Sequence, residues 1–261
     1  MPKLSVRAIL KSKNERKLTV LTAYDYLFAK LMDGEVDMIL VGDSLNNSFG
    51  GKPDTLSATL DVMIYHTNAV CRGAKETFVI CDMPFGSYLD EAGALASALR
   101  VYQETPADAV KIEGGVTKAP IIKRMTENGI AVMAHIGLMP QFFRSEGFSV
   151  KGRAESDLER LIADAKAVEA AGAFAIVLEG VTADVAKAIT EAVNVPTIGI
   201  GAGKDTDGQV LVWSDMLGFF EDFKPKFVRR YMDGATEVRK AVKSYVEDVK
   251  SGAFPSEAES Y

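Results

Sequence analysis

The stretch MILVGDSL, residues 38–45, is an apolar run that ends abruptly in an acid and a hydroxyl. Its first four residues have the length and composition of a buried β-strand. Asp43 and Ser44 follow after a single glycine, although removing a carboxylate from water is costly. One such case could be an ordinary helix cap, so the question is whether the pattern recurs.

Apolar runs that end in polar residues do recur along the chain. Six of them lead into TAYD (22–25), GDS (42–44), CD (81–82), KIEGG (111–115), AHIG (134–137) and LEG (178–180). Successive acids and the histidine, at positions 43, 82, 113, 135 and 179, lie 22 to 44 residues apart. That spacing suits repeated strand–helix units.

Short β-branched runs alternate with helical patterns throughout. The predicted strands are residues 18–21, 38–41, 78–81, 109–112, 131–134, 174–178, 197–200 and 209–213. The predicted helices between them are residues 26–33, 60–75, 91–105, 118–128, 156–171 and 183–193. Such alternation indicates parallel strands, because each crossover returns the chain to the same end of the sheet.

About eight strands in one unbroken series favour a closed (β/α)8 barrel, or TIM barrel, over an open doubly wound sheet. The length of 261 residues suits one barrel, and no Gly/Pro/Ser-rich linker divides the chain. We therefore predict a single α/β domain over residues 1–261, with an N-terminal cover segment and a C-terminal helical extension. The extension, residues 228–250, is expected to pack outside the barrel.

Composition excludes several classes of protein. The hydrophobic fraction is 48%, and no apolar run is long enough to span a membrane. A net charge of −6 argues against a nucleic-acid-binding protein. Because no signal-peptide-like run lies near residue 1 and there are only two cysteines, we expect a cytoplasmic location with reduced thiols.

The polar clusters are expected to form one site. In a parallel barrel the carboxyl ends of the strands meet at one mouth, where barrel enzymes hold their catalytic residues. Period-two alternation predicts that Lys111 and Glu113 face the same way, with Ile112 turned toward the helices. The expected site then contains Asp43, Asp82, Lys111, Glu113, His135 and Glu179.

Several carboxylates in one cavity repel each other, and a divalent cation relieves that repulsion. The donors are oxygens apart from His135, which favours Mg²⁺ over zinc. Each residue alone also has a structural interpretation. Asp43 could cap a helix, Asp82 could form a turn, and Lys111 could pair with Glu113 or Asp82. Together these interpretations require six independent coincidences of position, so we favour a shared site.

Two loops are further candidates for substrate contact. TIGIGAG (197–203) is a Gly-rich turn that could line the mouth or cradle a phosphate, although it lacks the P-loop pattern. The connection 137–153 is long and without helical periodicity, which is typical of a lid. Its aromatic and basic residues could cover a flat, anionic co-substrate; they are Phe142, Phe143, Arg144, Lys151 and Arg153. The alternative is a solvated surface loop.

The motifs LTAYD, VGDSL, MIYHT, DMPFGSY, VKIEGG, AHIGLMPQ, LEG and TIGIGAG–TDGQVLV occur in this order. In this combination, over about residues 3–232, the chain resembles the ketopantoate hydroxymethyltransferase (3-methyl-2-oxobutanoate hydroxymethyltransferase) family. The resemblance implies a (β/α)8 barrel that transfers a hydroxymethyl group from 5,10-methylenetetrahydrofolate to 3-methyl-2-oxobutanoate in pantothenate biosynthesis. It also implies Mg²⁺ and a homo-oligomer, a decamer of two pentameric rings.

The resemblance further implies a role for each site residue. Asp43, Asp82 and Glu113 would surround the Mg²⁺, directly or through water. The 2-oxo acid would be held by Asp43, Ser44, Asp82 and Lys111. Glu179 would be the base, and His135 would line the substrate pocket.

The chain departs from the family pattern beside the site, where Asn46, Asn47 and Ser48 replace a Gly and apolar residues and Met139 replaces a Thr.

Two other reactions remain open from the residues alone. One is a Mg²⁺-dependent 2-oxo acid aldolase or lyase, and the other is a Schiff-base aldolase that uses Lys111. A barrel that binds a ligand without catalysis is the non-enzymatic alternative.

Overall fold

The computed structural model describes residues 3–221 and 224–261, and the chain divides into two compact units, Met1–Val212 and Trp213–Tyr261. In the described part of the first unit, eight parallel strands pair in sequence order and β8 pairs back to β1. The strands are β1 Leu18–Thr22, β2 Met38–Val41, β3 Phe78–Asp82, β4 Ala109–Glu113, β5 Val132–Gly137, β6 Ala175–Glu179, β7 Thr197–Ile200 and β8 Gly208–Leu211. The predicted closed (β/α)8 barrel is confirmed.

Helices connect most of these strands. They are α1 Val6–Lys11, α2 Tyr26–Met32, α3 Leu45–Ser48, α4 Leu60–Gly73, α5 Glu91–Glu104, α6 Ala119–Thr126, α7 Phe143–Glu146, α8 Glu155–Ala170 and α9 Ala183–Ala192. Short 3-10 turns precede α6 and α7, at Val116–Lys118 and Pro140–Phe142. The connection 137–153, predicted without helix, therefore contains two short helical turns.

The inward-facing side chains change from apolar to ionisable along the strands. Alternate residues of a strand share one face. In β3, Phe78 and Ile80 belong to the buried core cluster, and Asp82 is the next residue on that face. In β4, Ala109 belongs to the cluster, and the inward positions that follow are occupied by ionisable residues. The site therefore lies directly above the apolar core, at the carboxyl ends of the strands.

The N-terminal segment packs against the opposite end of the core. Ile9 of α1 is fully buried in the core cluster, a burial that contributes about 1.5–3 kcal/mol. Lys3 pairs with Asp108 at 2.6 Å, and Lys13 pairs with Asp207 at 2.8 Å. Because Asp108 and Asp207 directly precede β4 and β8, this segment crosses the amino-terminal end of the barrel, away from the site.

Several predicted boundaries were wrong. β5 continues to Gly137, and β8 ends at Leu211. The C-terminal helix begins at Gly234, later than the predicted residue 228. The reason is that the backbone before it is bonded elsewhere: Tyr231 donates its N–H to the Met216 carbonyl, and Gly234 donates to the Leu217 carbonyl, both at 2.8 Å.

The second unit contains α10 Trp213–Met216, α11 Gly234–Ser251 and a 3-10 turn, Glu257–Glu259. Within it, Arg230 donates to the Phe220 carbonyl at 2.7 Å, and Arg239 pairs with Glu221. In the part of the chain that the structure describes, no helix combines the length and the apolar character needed to cross a membrane.

Candidate active site

The barrel brings the six predicted ionisable side chains to its carboxyl-terminal mouth. They are contributed by the tips of five strands: Asp43 after β2, Asp82 at the end of β3, Lys111 and Glu113 in β4, His135 in β5 and Glu179 at the end of β6. All are buried except Glu179, whose side chain is 22% exposed. The base candidate is therefore the member of the group that solvent or a substrate reaches most easily.

Lys111 and Asp82 form a buried ion pair. Lys111 Nζ lies 2.7 Å and 2.8 Å from the two carboxylate oxygens of Asp82. The two residues are direct neighbours in the β3–β4 ladder, which sets this pairing. Burial acts to lower the pKa of Lys111, but the surrounding carboxylates outweigh it and raise that pKa, so the ammonium stays charged.

The other two buried carboxyl groups lie farther from this cation. Glu113 Oε1 is 3.9 Å from Lys111 Nζ, and burial raises the pKa of Glu113 well above its usual range. Asp43 accepts a hydrogen bond from Gln141 Nε2 at 2.8 Å, and its own N–H donates to Asp82 Oδ2 at 3.3 Å. Burial and the nearby charge of Asp82 raise the pKa of Asp43 to about 7.

His135 is neutral in this environment. Burial, followed by the charge of Lys111, lowers its pKa well below the usual value. Nε2 lies 2.9 Å from the Leu138 carbonyl, which can only accept, so Nε2 carries the proton. Nδ1 has no hydrogen-bond partner among the described residues and lies 3.7 Å from Glu113 Oε1. Nδ1 is thus a buried acceptor without a hydrogen bond, next to Glu113.

Glu179 lies near Nε2 of His135, whereas Glu113 lies near Nδ1. Glu179 Oε2 lies 3.5 Å from His135 Nε2. Although the side chain is partly exposed, its desolvation within the mouth raises the pKa of Glu179 to about 8, against the opposing effect of Lys111. A carboxyl group with a pKa near the working pH is suited to accept and return a proton.

Ser44 lies beside the carboxylates, but its hydroxyl is already engaged. Its Oγ is 2.8 Å from the hydroxyl of the buried Tyr24. Asn46, one of the departures from the family pattern, turns toward the 54–57 loop, where Nδ2 donates to the Asp54 carbonyl at 2.7 Å and to Ser57 Oγ at 2.9 Å. This substitution therefore ties two loops together and leaves the carboxylates untouched.

Two buried residues were missed as site members. Gln141 and Tyr88 lie among the carboxylates, and the Tyr88 hydroxyl donates to Gln141 Oε1. Both stand in quoted motifs, AHIGLMPQ and DMPFGSY, so the signal was present. It went unused because a polar residue in a loop looks solvated until the fold is known.

The charged residues of the 137–153 connection are largely paired within the protein. Arg144 donates to Asp54 at 2.9 Å, and Lys151 donates to Glu146 at 2.9 Å. Phe143 stacks on Phe148 with ring centroids 5.2 Å apart. The two ion pairs leave less free positive charge for a co-substrate than the sequence suggested.

The donor chemistry of the site fits a hard divalent cation. Four carboxyl groups share the mouth with one ammonium, and the pKa values of Asp43, Asp82, Glu113 and Glu179 are all raised, chiefly by burial. Neighbouring carboxylates raise those of Asp43, Glu113 and Glu179 further. In the described residues no three Asp, Glu, His or Cys side chains already converge on one ion position. Mg²⁺ commonly takes only one or two carboxylates and completes its shell with water and substrate oxygens, so this arrangement suits it.

Comparison with known proteins identifies the family. The family model described as ketopantoate hydroxymethyltransferase matches residues 3–257. The chain belongs to this family. The 3-methyl-2-oxobutanoate hydroxymethyltransferase of Aliarcobacter butzleri is 65% identical over 99% of this chain and 97% of the relative. The enzyme of the same name from Wolinella succinogenes is 59% identical over the full length of both chains.

Solved structures support the fold of this family member. A 2,3-dimethylmalate lyase of the PEP mutase/isocitrate lyase superfamily matches with a TM-score of 0.61 at 16% identity, covering 97% of this chain and 90% of that one. A phosphonopyruvate hydrolase in complex with oxalate and Mg²⁺ matches with a TM-score of 0.63 at 14% identity, covering 98% and 93%. At such low identity these similarities establish the barrel alone.

Proposed function

We propose that this chain transfers a hydroxymethyl group from 5,10-methylenetetrahydrofolate to 3-methyl-2-oxobutanoate, giving 2-dehydropantoate in pantothenate biosynthesis. Full-length relatives of that activity at 55–65% identity support the reaction. The structural observation that carries the proposal is Glu179, a carboxyl group of raised pKa at the rim of a buried carboxylate cluster. The aldolase or lyase alternative has only barrel similarity at 13–16% identity in its favour.

Asp43, Asp82 and Glu113 are proposed to hold Mg²⁺, directly or through water. When bound, the metal would supply Lewis-acid stabilisation of negative charge on the keto oxygen of the 2-oxo acid. Lys111 would place a fixed positive charge beside the bound 2-oxo acid, and its raised pKa keeps that charge at working pH. Asp43, Ser44, Asp82, Lys111 and His135 would bind and orient the substrate.

Glu179 is proposed to remove the proton from C3 of the 2-oxo acid. The electron pair left at C3 then forms the bond to the methylene carbon of the folate as one of the two C–N bonds of that carbon breaks. Water displaces the second nitrogen and supplies the hydroxyl oxygen of the product. Tetrahydrofolate leaves, and its two nitrogens take up the proton from C3 and one proton from water. His135, being neutral, adds no charge that would hold Glu179 in its ionised, weakly basic form. The raised pKa of Glu179 makes it a stronger base once it is deprotonated.

The decisive experiment is deuterium exchange at C3 of 3-methyl-2-oxobutanoate in D2O, followed by NMR without folate. Exchange is expected with Mg²⁺ and is expected to stop when EDTA removes the metal. Exchange that is insensitive to EDTA contradicts the metal role. Product formation from free formaldehyde at the same rate without any folate would instead favour the lyase alternative.

We also propose that the chain forms a homo-oligomer, namely the decamer that the family resemblance implies. Large apolar side chains on α2 and α4 support it, since Leu27, Leu31 and Tyr65 are 67%, 73% and 69% exposed. Sedimentation velocity is expected to give about ten times the mass of one chain; a monomer contradicts the proposal.

A cytoplasmic location is proposed as well. The two cysteines, Cys71 and Cys81, are free buried thiols, which is in keeping with that location. Cell fractionation tests it.

A further inference from the structure

We infer that Gln141 is a positioning residue that holds the carboxylates of Asp43 and Glu113 in the orientation needed to bind the metal. Gln141 lies in the 3-10 turn after β5, on a loop, yet its side chain is buried. The inference rests on the proposed Mg²⁺ site. It concerns a residue that itself is not a metal ligand.

Gln141 reaches two carboxylates, one that follows β2 and one at the end of β4. Gln141 Nε2 donates to Asp43 Oδ2 at 2.8 Å, and the Gln141 backbone N–H donates to Glu113 Oε2 at 3.0 Å. Each bond occupies one oxygen of its carboxylate and leaves the other, Asp43 Oδ1 or Glu113 Oε1, for a different partner. A hydrogen bond of this kind fixes the rotation of a ligand side chain.

The orientation of the Gln141 amide is determined by its surroundings. Its nitrogen faces two acceptors, Asp43 Oδ2 and the Met83 carbonyl at 3.0 Å. Its oxygen accepts from the Tyr88 hydroxyl, which in turn accepts the Glu113 backbone N–H at 3.3 Å. A flipped amide would set the nitrogen against the Tyr88 hydroxyl and the oxygen against a carboxylate. The side chain is therefore locked, and a locked partner positions its neighbours most effectively.

The loop that carries Gln141 is itself held next to the base candidate. Gly137, at its start, has φ +100°, and a Cβ there would meet the Glu179 carbonyl oxygen at 2.4 Å. The next residue, Leu138, donates its N–H to the same oxygen at 2.7 Å. The backbone thus connects the end of β6, where Glu179 lies, to the residue that orients Asp43 and Glu113.

The test measures Mg²⁺ binding by isothermal titration calorimetry, in the presence of 3-methyl-2-oxobutanoate, for the full chain and three variants. Gln141→Met keeps the length of the side chain but removes its donors and acceptor. Its Mg²⁺ dissociation constant is expected to rise about 10- to 100-fold, as for lost partners of metal ligands. Tyr88→Phe should give a smaller rise. Ser145→Ala, an exposed change in the same loop, should give none.

The outcomes separate this inference from the function on which it rests. If the unaltered chain binds no Mg²⁺, the proposed metal site and the inference both fail. If it binds Mg²⁺ and neither Gln141→Met nor Tyr88→Phe changes the constant, the inference alone fails. A lowered unfolding temperature with unchanged Mg²⁺ affinity would mark Gln141 as merely structural and also overturn it. Should Gln141→Met not fold, Tyr88→Phe decides.

Discussion

Glu179→Gln is expected to reduce C3 deuterium exchange of 3-methyl-2-oxobutanoate by about 10²- to 10⁴-fold, the usual contribution of a positioned general base. The amide has the same shape as the carboxyl group but cannot accept the proton. Binding of the 2-oxo acid and of Mg²⁺ should persist, because the buried Lys111–Asp82 pair, Asp43 and Glu113 are left intact. NMR exchange rates and calorimetric binding measure the two effects separately.

The pH dependence supplies a second check on Glu179. A base acts when deprotonated, so the exchange rate of the unaltered chain should rise as the pH increases through the pKa of Glu179, about 8 in the metal-free protein. The rising limb should vanish in Glu179→Gln. Glu146→Gln, which changes a surface partner of Lys151, is the matched control and should behave as the unaltered chain. Full exchange activity in Glu179→Gln removes it from the base role.

Lys111→Met is expected to lower the free energy of unfolding by about 3–5 kcal/mol at neutral pH, because it leaves Asp82 buried without its partner. Both side chains of the pair are almost wholly inaccessible to water, at 4% and 2% exposure. Urea denaturation of the metal-free chain measures the change. Activity should also be lost, since the one ammonium among the predicted site residues is gone.

The deficit in Lys111→Met should grow with pH. Burial raises the pKa values of Asp82 and Glu113 in the folded chain above their values in the unfolded chain. The ammonium of Lys111 lowers both pKa values, so its removal raises them further. At a pH between the unfolded and the folded pKa of these carboxyl groups, the folded chain binds more protons than the unfolded chain. The free energy of unfolding of the variant therefore falls as the pH rises through this range. Adding Asp82→Asn should recover part of the loss. Equal deficits at pH 5 and pH 8 would contradict this account.

A surface pair provides the contrast for Lys111. Arg100 and Glu104 lie 2.7 Å apart, one turn apart on α5, but both are exposed. Arg100→Met should therefore leave stability almost unchanged, since water replaces the lost interaction. A comparable loss of unfolding free energy in both variants would mean that burial is not the reason why the Lys111–Asp82 pair stabilises the fold.

Local sequence patterns predicted the barrel correctly, and they named the six ionisable residues that the structure brings to its mouth. Strand composition, stop signals and alternation placed all eight strands, and period-two alternation correctly put Lys111 and Glu113 on one face. These features depend on neighbouring residues, so they can be read without the fold. The start of α11 was missed because residues 228–233 follow a helical pattern, whereas Tyr231 donates its N–H to Met216 and Gly234 donates to Leu217.

Residue order alone thus determined which acids stand at strand ends and that those ends lie at one edge of the sheet, because each parallel crossover returns the chain to the same end. Tertiary structure decided which of them interact. Lys111 could have paired with Glu113 or Asp82, and the β3–β4 register chose Asp82. Gln141 reaches Asp43 across 98 positions of chain. The desolvation that raises the pKa of Glu179 likewise follows only when the strands close, since desolvation depends on everything that surrounds the group.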